Sequence, residues 1–167
     1  MRACSGSLLR TAVLLVGDYG HAEDLLQVAL LRTARHWRTA RAAPEAYVRR
    51  ALVNLCRDRW RRLKARPREV RMLPGSSVTA TVAGPADQVS RQQLLVKALG
   101  RLPAGQREVI VLRYFEDLSV AGTAELLGIA PGTVKSYTAR ALASLREVLD
   151  DDAEDIDGHT REVSDAH

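Results

Sequence analysis

Thr133, Lys135, Ser136, Tyr137 and Arg140 gather on one side of the helix that the sequence predicts from Pro131 onward. Hydroxyls both donate and accept hydrogen bonds. A Lys ammonium or an Arg guanidinium seeks phosphate or the acceptor edge of guanine, so this set is suited to reading DNA in the major groove. The element that must carry it is written into its other face, where Val134, Ala141, Leu142 and Leu145 repeat as one buried stripe. A shorter helix precedes it, with Ser119 placed to cap its start and Ala124, Leu126 and Leu127 on its apolar side. Gly128 suits a left-handed helix end, and Pro131 the first position of the next helix. Two helices with a glycine corner and a cationic second face are the helix-turn-helix pattern. On pattern alone an ordinary corner between two packed helices stays open as the alternative.

A second candidate set lies upstream. Arg50, Asn54, Arg57 and Arg61 are spaced four, three and four, a row along one helical face. Three guanidiniums and an amide can bind phosphate, guanine and a base edge. Trp60 stands beside the row, able to pack inside or to stack on an exposed base, burial being the commoner fate of a lone Trp. Their helix is predicted from Pro44 to Lys64, with Tyr47, Val48, Ala51, Leu52, Leu55 and Cys56 as its buried stripe.

Charge distribution points the same way. Between Arg32 and Arg71 there are 14 Arg or Lys against Glu45, Asp58 and Glu69, a net of +11, whereas Glu147 to His167 holds nine acids against Arg161, a net of −8. A block so one-sided suits a polyanion better than a solvated helical face of mixed sign. Aromatics are only 4% of a chain that is 46% hydrophobic, so the core must be built from Leu, Val and Ala, which favours helices. Cys4 and Cys56 suggest neither a disulfide framework nor a zinc site, and His21, His36, His159 and His167 have no ligand spacing. No nucleophile with a base, metal cluster or phosphate loop is present, so no catalysis, metal or cofactor is expected. No apolar run approaches the roughly 20 residues needed to span a bilayer and no signal-peptide pattern opens the chain, so a cytoplasmic protein is expected.

The fold class read from these patterns is all-α, two small helical domains joined by a flexible linker. The first domain is placed at 1–65, with one helix ending at Val16 before Gly17-Asp18, a second from His21 to Trp37, and the basic helix. The second helix has Ala22, Leu25, Leu26, Ala29 and Leu30 on its apolar side, with Glu23 and Asp24 in its first turn. Residues 66–88, rich in Gly, Ser, Thr and Pro, read as linker. The second domain is placed at 89–149, with Leu94, Leu95, Ala98, Leu99 and Leu102 as a stripe, a helix from Gly105 to Phe115, then the helix-turn-helix. Residues 150–167 read as an acidic disordered tail, either solubilising or folded back on the protein's own cations.

Three ordered stretches resemble one family: LLRTAVLLVGDYGHAEDLLQVALL, PEAYVRRALVNLCRDRWRR, and ALGRLPAGQREVIVLRYFEDLSVAGTAELLGIAPGTVKSYTARALASLRE. The chain is similar to the extracytoplasmic-function (ECF) sigma factors of bacterial RNA polymerase, in their actinobacterial sigma-E-like subgroup. The resemblance implies a subunit without catalysis of its own that directs core polymerase to promoters. It implies that His21 to Leu31, through Glu23, Asp24, Gln27 and Leu31, docks on polymerase. It also implies that Arg50, Asn54, Arg57, Trp60 and Arg61 serve the −10 element, and that the Thr133 to Arg140 face serves the −35 element. It admits an anti-sigma factor as a further partner. The chain departs from the family in three places. The family usually has a dozen or more residues before Leu8, so the start is expected to be truncated or mis-assigned; Gln27-Val28 stands where Gln-Glu is common, and Tyr137 where Arg is common. The competing reading is a stand-alone helix-turn-helix regulator, which would bind DNA without polymerase.

Overall fold

The computed structural model describes residues 2–65 and 86–164, with side chains described within 6–63 and 92–148. Eight helices follow in order: α1 Arg2–Val16, α2 Tyr19–Arg35, α3 Trp37–Ala40, α4 Pro44–Ala65, α5 Ala86–Arg101, α6 Ala104–Tyr114, α7 Val120–Leu127 and α8 Pro131–Ser164. No strand occurs among the described residues. The 66–88 linker falls, up to residue 85, outside them.

In the first half, α1, α2 and α4 pack on one another. Gly17, at φ +81°, ends α1, and its N–H donates to Val13 O at 2.7 Å. Asp18 then caps α2, its carboxylate accepting from the His21 N–H at 2.7 Å. That backbone bond holds the Asp18 carboxyl below its ordinary value. Because α2 begins at Tyr19 and not at His21, Glu23 and Asp24 fall in its second turn, and the cap supplies the negative charge at its start. Ala22, Leu26, Ala29 and Thr33 are the buried row of α2, with Leu25 and Leu30 at its margins. The helix stops at Arg35 instead of running to Trp37. His36, at φ −105° and ψ 29°, leaves the helical region, and α3 starts as a separate turn. On α4, Val48, Leu52, Val53, Leu55 and Cys56 are buried in one cluster with Leu8, Ala12 and Leu15 of α1 and Ala22, Leu26 and Ala29 of α2.

In the second half, α6 is the centre. Arg107, Glu108, Val109, Ile110, Val111 and Leu112 are six successive buried residues, more than one helical face can hold. The helix is covered on one side by α7 and α8 and on another by α1. On α5 the buried row is Val96, Ala98 and Leu99, continued by Leu102 just past its end. Leu94, expected in that row, is 55% exposed.

The corner between α7 and α8 follows its residue types closely. Ser119 Oγ accepts from Gly122 N at 3.0 Å. Gly128 lies at φ 65° and ψ 39°, and the Ile129 N–H reaches back to Ala124 O at 3.1 Å, a Schellman closure. Pro131 then starts α8, which keeps its backbone helical through Ser164 where composition predicts disorder from 150. Once started, a helix extends cheaply, and no Gly or Pro interrupts it between Gly132 and Gly158. What the side chains of the acidic segment touch lies outside the described residues.

The two halves are not separate bodies. Their buried residues join in one cluster, with α1 against α5 and α6.

Candidate nucleic-acid interface

On α8, Lys135, Ser136 and Arg140 are exposed, and Thr133 is half-buried. Val134 and Ala141, both fully buried, fix the helix by its opposite side. The outer face therefore offers an ammonium, a hydroxyl and a guanidinium within about two turns, none of them taken up by another described group. Tyr137 departs from the expected set. Its side chain is half-buried and packs on the core, and its Cε2 lies only 3.0 Å from the position that a Cβ on Gly105 would occupy. This ring rests on the start of α6, so its apolar body serves the fold.

On α4 the expected row splits in two. Arg50 and Asn54 are exposed, and so is Arg61, which makes a loose surface pair with Asp58 at 3.9 Å. Arg57 and Trp60 point elsewhere. Arg57 Nη1 donates to Leu127 O at 2.7 Å, and its Nε lies 3.5 Å from the Glu108 carboxylate. The Trp60 indole N–H donates to Leu15 O at 3.3 Å, and the Arg107 guanidinium sits 4.8 Å above the ring, a cation–π distance. Of the two fates open to Trp60, packing is the one observed.

Several residues that the sequence reading passed over build this crossing. Arg107 is 4% exposed and donates to Leu15 O at 3.2 Å, Gly100 O at 2.9 Å and Leu102 O at 3.2 Å. Burial draws its guanidinium down from the usual range, against which the neighbouring Glu108 acts. Glu116, in the turn after α6, accepts from both Thr11 Oγ1 and Arg49 Nε. The run Val109 to Leu112 was the available signal, since four successive apolar residues belong on no one-sided helix.

The remaining expected set lies on α2. Glu23, Asp24 and Gln27 are exposed, and Leu31 is 59% exposed. Leu31 lines an open apolar groove of 520 Å³ together with Gln27, Leu30, Thr33, Ala34 and Trp37, the last 48% exposed. Exposed apolar surface of this kind, with Gln27 at its edge, is of the sort that protein partners cover.

Two family models match the chain, "Sigma-70 region 2" over residues 1–66 and "Sigma-70, region 4" over residues 92–145. The RNA polymerase sigma-E factor of Streptomyces coelicolor is 40% identical over 164 residues, covering 97% of this chain and 89% of that protein. The ECF RNA polymerase sigma factor SigM of Mycobacterium tuberculosis is 41% identical over 130 residues, 77% of this chain and 64% of its own length. Among solved structures, the sigma factor RpoE in complex with the anti-sigma factor NepR from Bartonella quintana aligns with a TM-score of 0.65 at 28% identity. That alignment covers 89% of this chain and 92% of that one. CnrH in complex with the cytosolic domain of CnrY shares the fold at a TM-score of 0.57 and 23% identity, covering 87% and 82%.

Proposed function

Since this chain belongs to the ECF sigma factors, non-catalytic subunits that direct RNA polymerase through a −10-reading region 2 and a −35-reading region 4, we propose that its promoter contacts fall on two particular faces. The −35 contacts come from Thr133, Lys135, Ser136 and Arg140, with Tyr137 supporting them from beneath. The −10 contacts come from Arg50, Asn54 and Arg61, joined by Arg57 and Trp60 once these are released from their present partners. Glu23, Asp24, Gln27 and Leu31, with the apolar groove beside them, form the polymerase-docking surface. Residues 1–65 and 89–149 serve as the two working domains. The cytoplasm, where RNA polymerase works, is the place of action. The complex of the Bartonella quintana neighbour with its anti-sigma factor supports an anti-sigma factor as a further partner.

One observation carries the −35 assignment: α8 leaves Lys135, Ser136 and Arg140 exposed while Val134 and Ala141 anchor it. The stand-alone regulator loses its footing, because relatedness to sigma-E factors extends over 97% of the chain. The deciding experiment is run-off transcription by bacterial core polymerase on a randomised promoter library, with wild type, Asn54→Ala, Lys135→Ala and Arg140→Ala. The base-reading variants are expected to shift the selected −10 or −35 sequence. Unchanged selection by all three would overturn the assignment.

A further inference from the structure

A cavity of 350 Å³ opens between α1, α5 and the end of α6. Its size lies at the small end of the range for small-molecule sites, roughly 300–1,000 Å³. Ser7, Arg10, Thr11 and Leu14 line it from α1, and their spacing puts all four on one helical face. Leu95 comes from α5, and Tyr114 and Phe115 from the last residue of α6 and its cap. None of these side chains belongs to the proposed promoter faces or to the groove on α2.

The lining has an apolar part and a charged part. Leu14 is buried and Leu95 half-buried, while the rings of Tyr114 and Phe115 are 55% and 43% exposed. Two uncovered aromatic rings beside two leucines suit a flat apolar body, which gains from leaving water and from stacking at once. Arg10 is the one charged residue of the lining, and no described carboxylate pairs with it. The carboxylate bonded to Thr11, that of Glu116, is itself only 3% exposed and already holds Arg49. The cavity therefore presents a net positive charge, and a guanidinium binds a carboxylate through two parallel bonds. The Ser7 hydroxyl and the Gln92 amide, also in the lining, can donate to the same anion.

We propose that this cavity binds a small aromatic carboxylate, its ring among Leu14, Leu95, Tyr114 and Phe115 and its anion on Arg10. The occupant is a ligand and not a substrate, since no nucleophile with a base lines the cavity. The walls come from both family-matched regions, 1–66 and 92–145. An occupant therefore favours, by mass action, the arrangement in which α1 faces α5 and α6, and makes the protein responsive to a metabolite.

The test is isothermal titration calorimetry on the full-length protein, with 1-naphthylacetate, 4-phenylbutyrate and the neutral 1-naphthylacetamide as probes. At least one acid is expected to bind at one per chain, and the amide about tenfold more weakly than its acid, the loss of one charge-assisted pair. Arg10→Gln should weaken the acids about tenfold and leave the amide unchanged. Lys97→Gln removes the same charge from an exposed site on α5 outside the lining, and should bind all probes as wild type does. Ser7→Trp fills the cavity from an exposed position and is expected to abolish binding, with its helical circular dichroism retained. Leu31→Gln, in the α2 groove, should change nothing. Failure of both acids to bind would overturn the proposal, as would equal affinity for acid and amide, or binding lost in Leu31→Gln. Wild-type affinity for the acids in Arg10→Gln would overturn it too, and that exposed substitution decides if Ser7→Trp fails to fold.

Discussion

The two faces proposed to read DNA in this sigma factor are built from similar residues and end in different states. On α8, Lys135, Ser136 and Arg140 stand clear of the protein. On α4, Arg50, Asn54 and Arg61 do so, while Arg57 and Trp60 are engaged by α1, α6 and α7. The difference lies in where each face gets its definition. The orientation of α8 follows from a cap, a left-handed glycine and a stripe, all within some thirty residues of sequence. The faces of α4 depend on which surface arrives from more than forty residues away.

Substitutions that separate fold from reading test this contrast most strongly. Leu52 is fully buried in α4, so Leu52→Ala is expected to cost about 2–5 kcal/mol by denaturant unfolding. Asn54→Ala, two residues on but exposed, should leave the unfolding midpoint within about 0.5 kcal/mol of wild type and alter promoter choice instead. Equal destabilisation by the two would mean that the faces of α4 are misassigned.

The recognition helix offers a smaller but sharper test. Lys135→Ala is expected to lose about 1–3 kcal/mol of discrimination at one −35 base pair, whereas Arg140→Ala should weaken all promoters alike by removing a phosphate contact. Tyr137→Ala should lower thermal stability before it changes selectivity, since the ring packs on α6. Transcription from a set of single-base −35 variants, read beside melting temperatures, checks all three.

The helix caps differ in a way that pH exposes. Asp18→Ala and Ser119→Ala should each cost about 1 kcal/mol at neutral pH. Asp18 has its folded pKa lowered from 3.8, so its share is present above that value and disappears as pH falls through the lower folded value. The Asp18→Ala deficit should therefore shrink in acid while that of Ser119→Ala does not. Two deficits with the same pH dependence would contradict the bonding described at α2.

The smallest expected signal comes from Cys56, on the inner side of α4. Burial, reinforced by Glu108, pushes its thiol up to about 12. The peptide carrying Cys56 should stay unalkylated by iodoacetamide at pH 8 in the native protein and react only on unfolding, as mass spectrometry of the digest would reveal. Rapid native labelling would place that side of α4 in water.

Legibility followed the range of the forces involved. Ser119, Gly128 and Pro131 each act on the next few residues, and the sequence placed that corner correctly. The all-α class, the exposed Lys135 and Arg140, and the buried stripe of α4 were readable for the same reason. His36 gave no warning that it would end α2, because no strong helix breaker marks the spot. Leu94 lies within reach of the right periodicity yet is exposed, Val96 having taken its place. Least readable was the seam. Arg57, Glu108 and Glu116 look like ordinary solvated charges until a second half of the chain is brought against the first.

The contact between Gly105 and Tyr137 has a consequence for anyone who would treat the recognition helix as an exchangeable cassette. Any side chain on residue 105 would start 3.0 Å from the Tyr137 ring. A tyrosine-bearing helix grafted onto a relative with a larger residue at that place would tilt, re-aiming every groove contact beyond it. The reverse graft, with Arg at 137, would leave an empty seat over Gly105 and a helix free to rock. Retargeting this protein to a new −35 sequence therefore calls for two edits, one on α8 and one on α6 behind it.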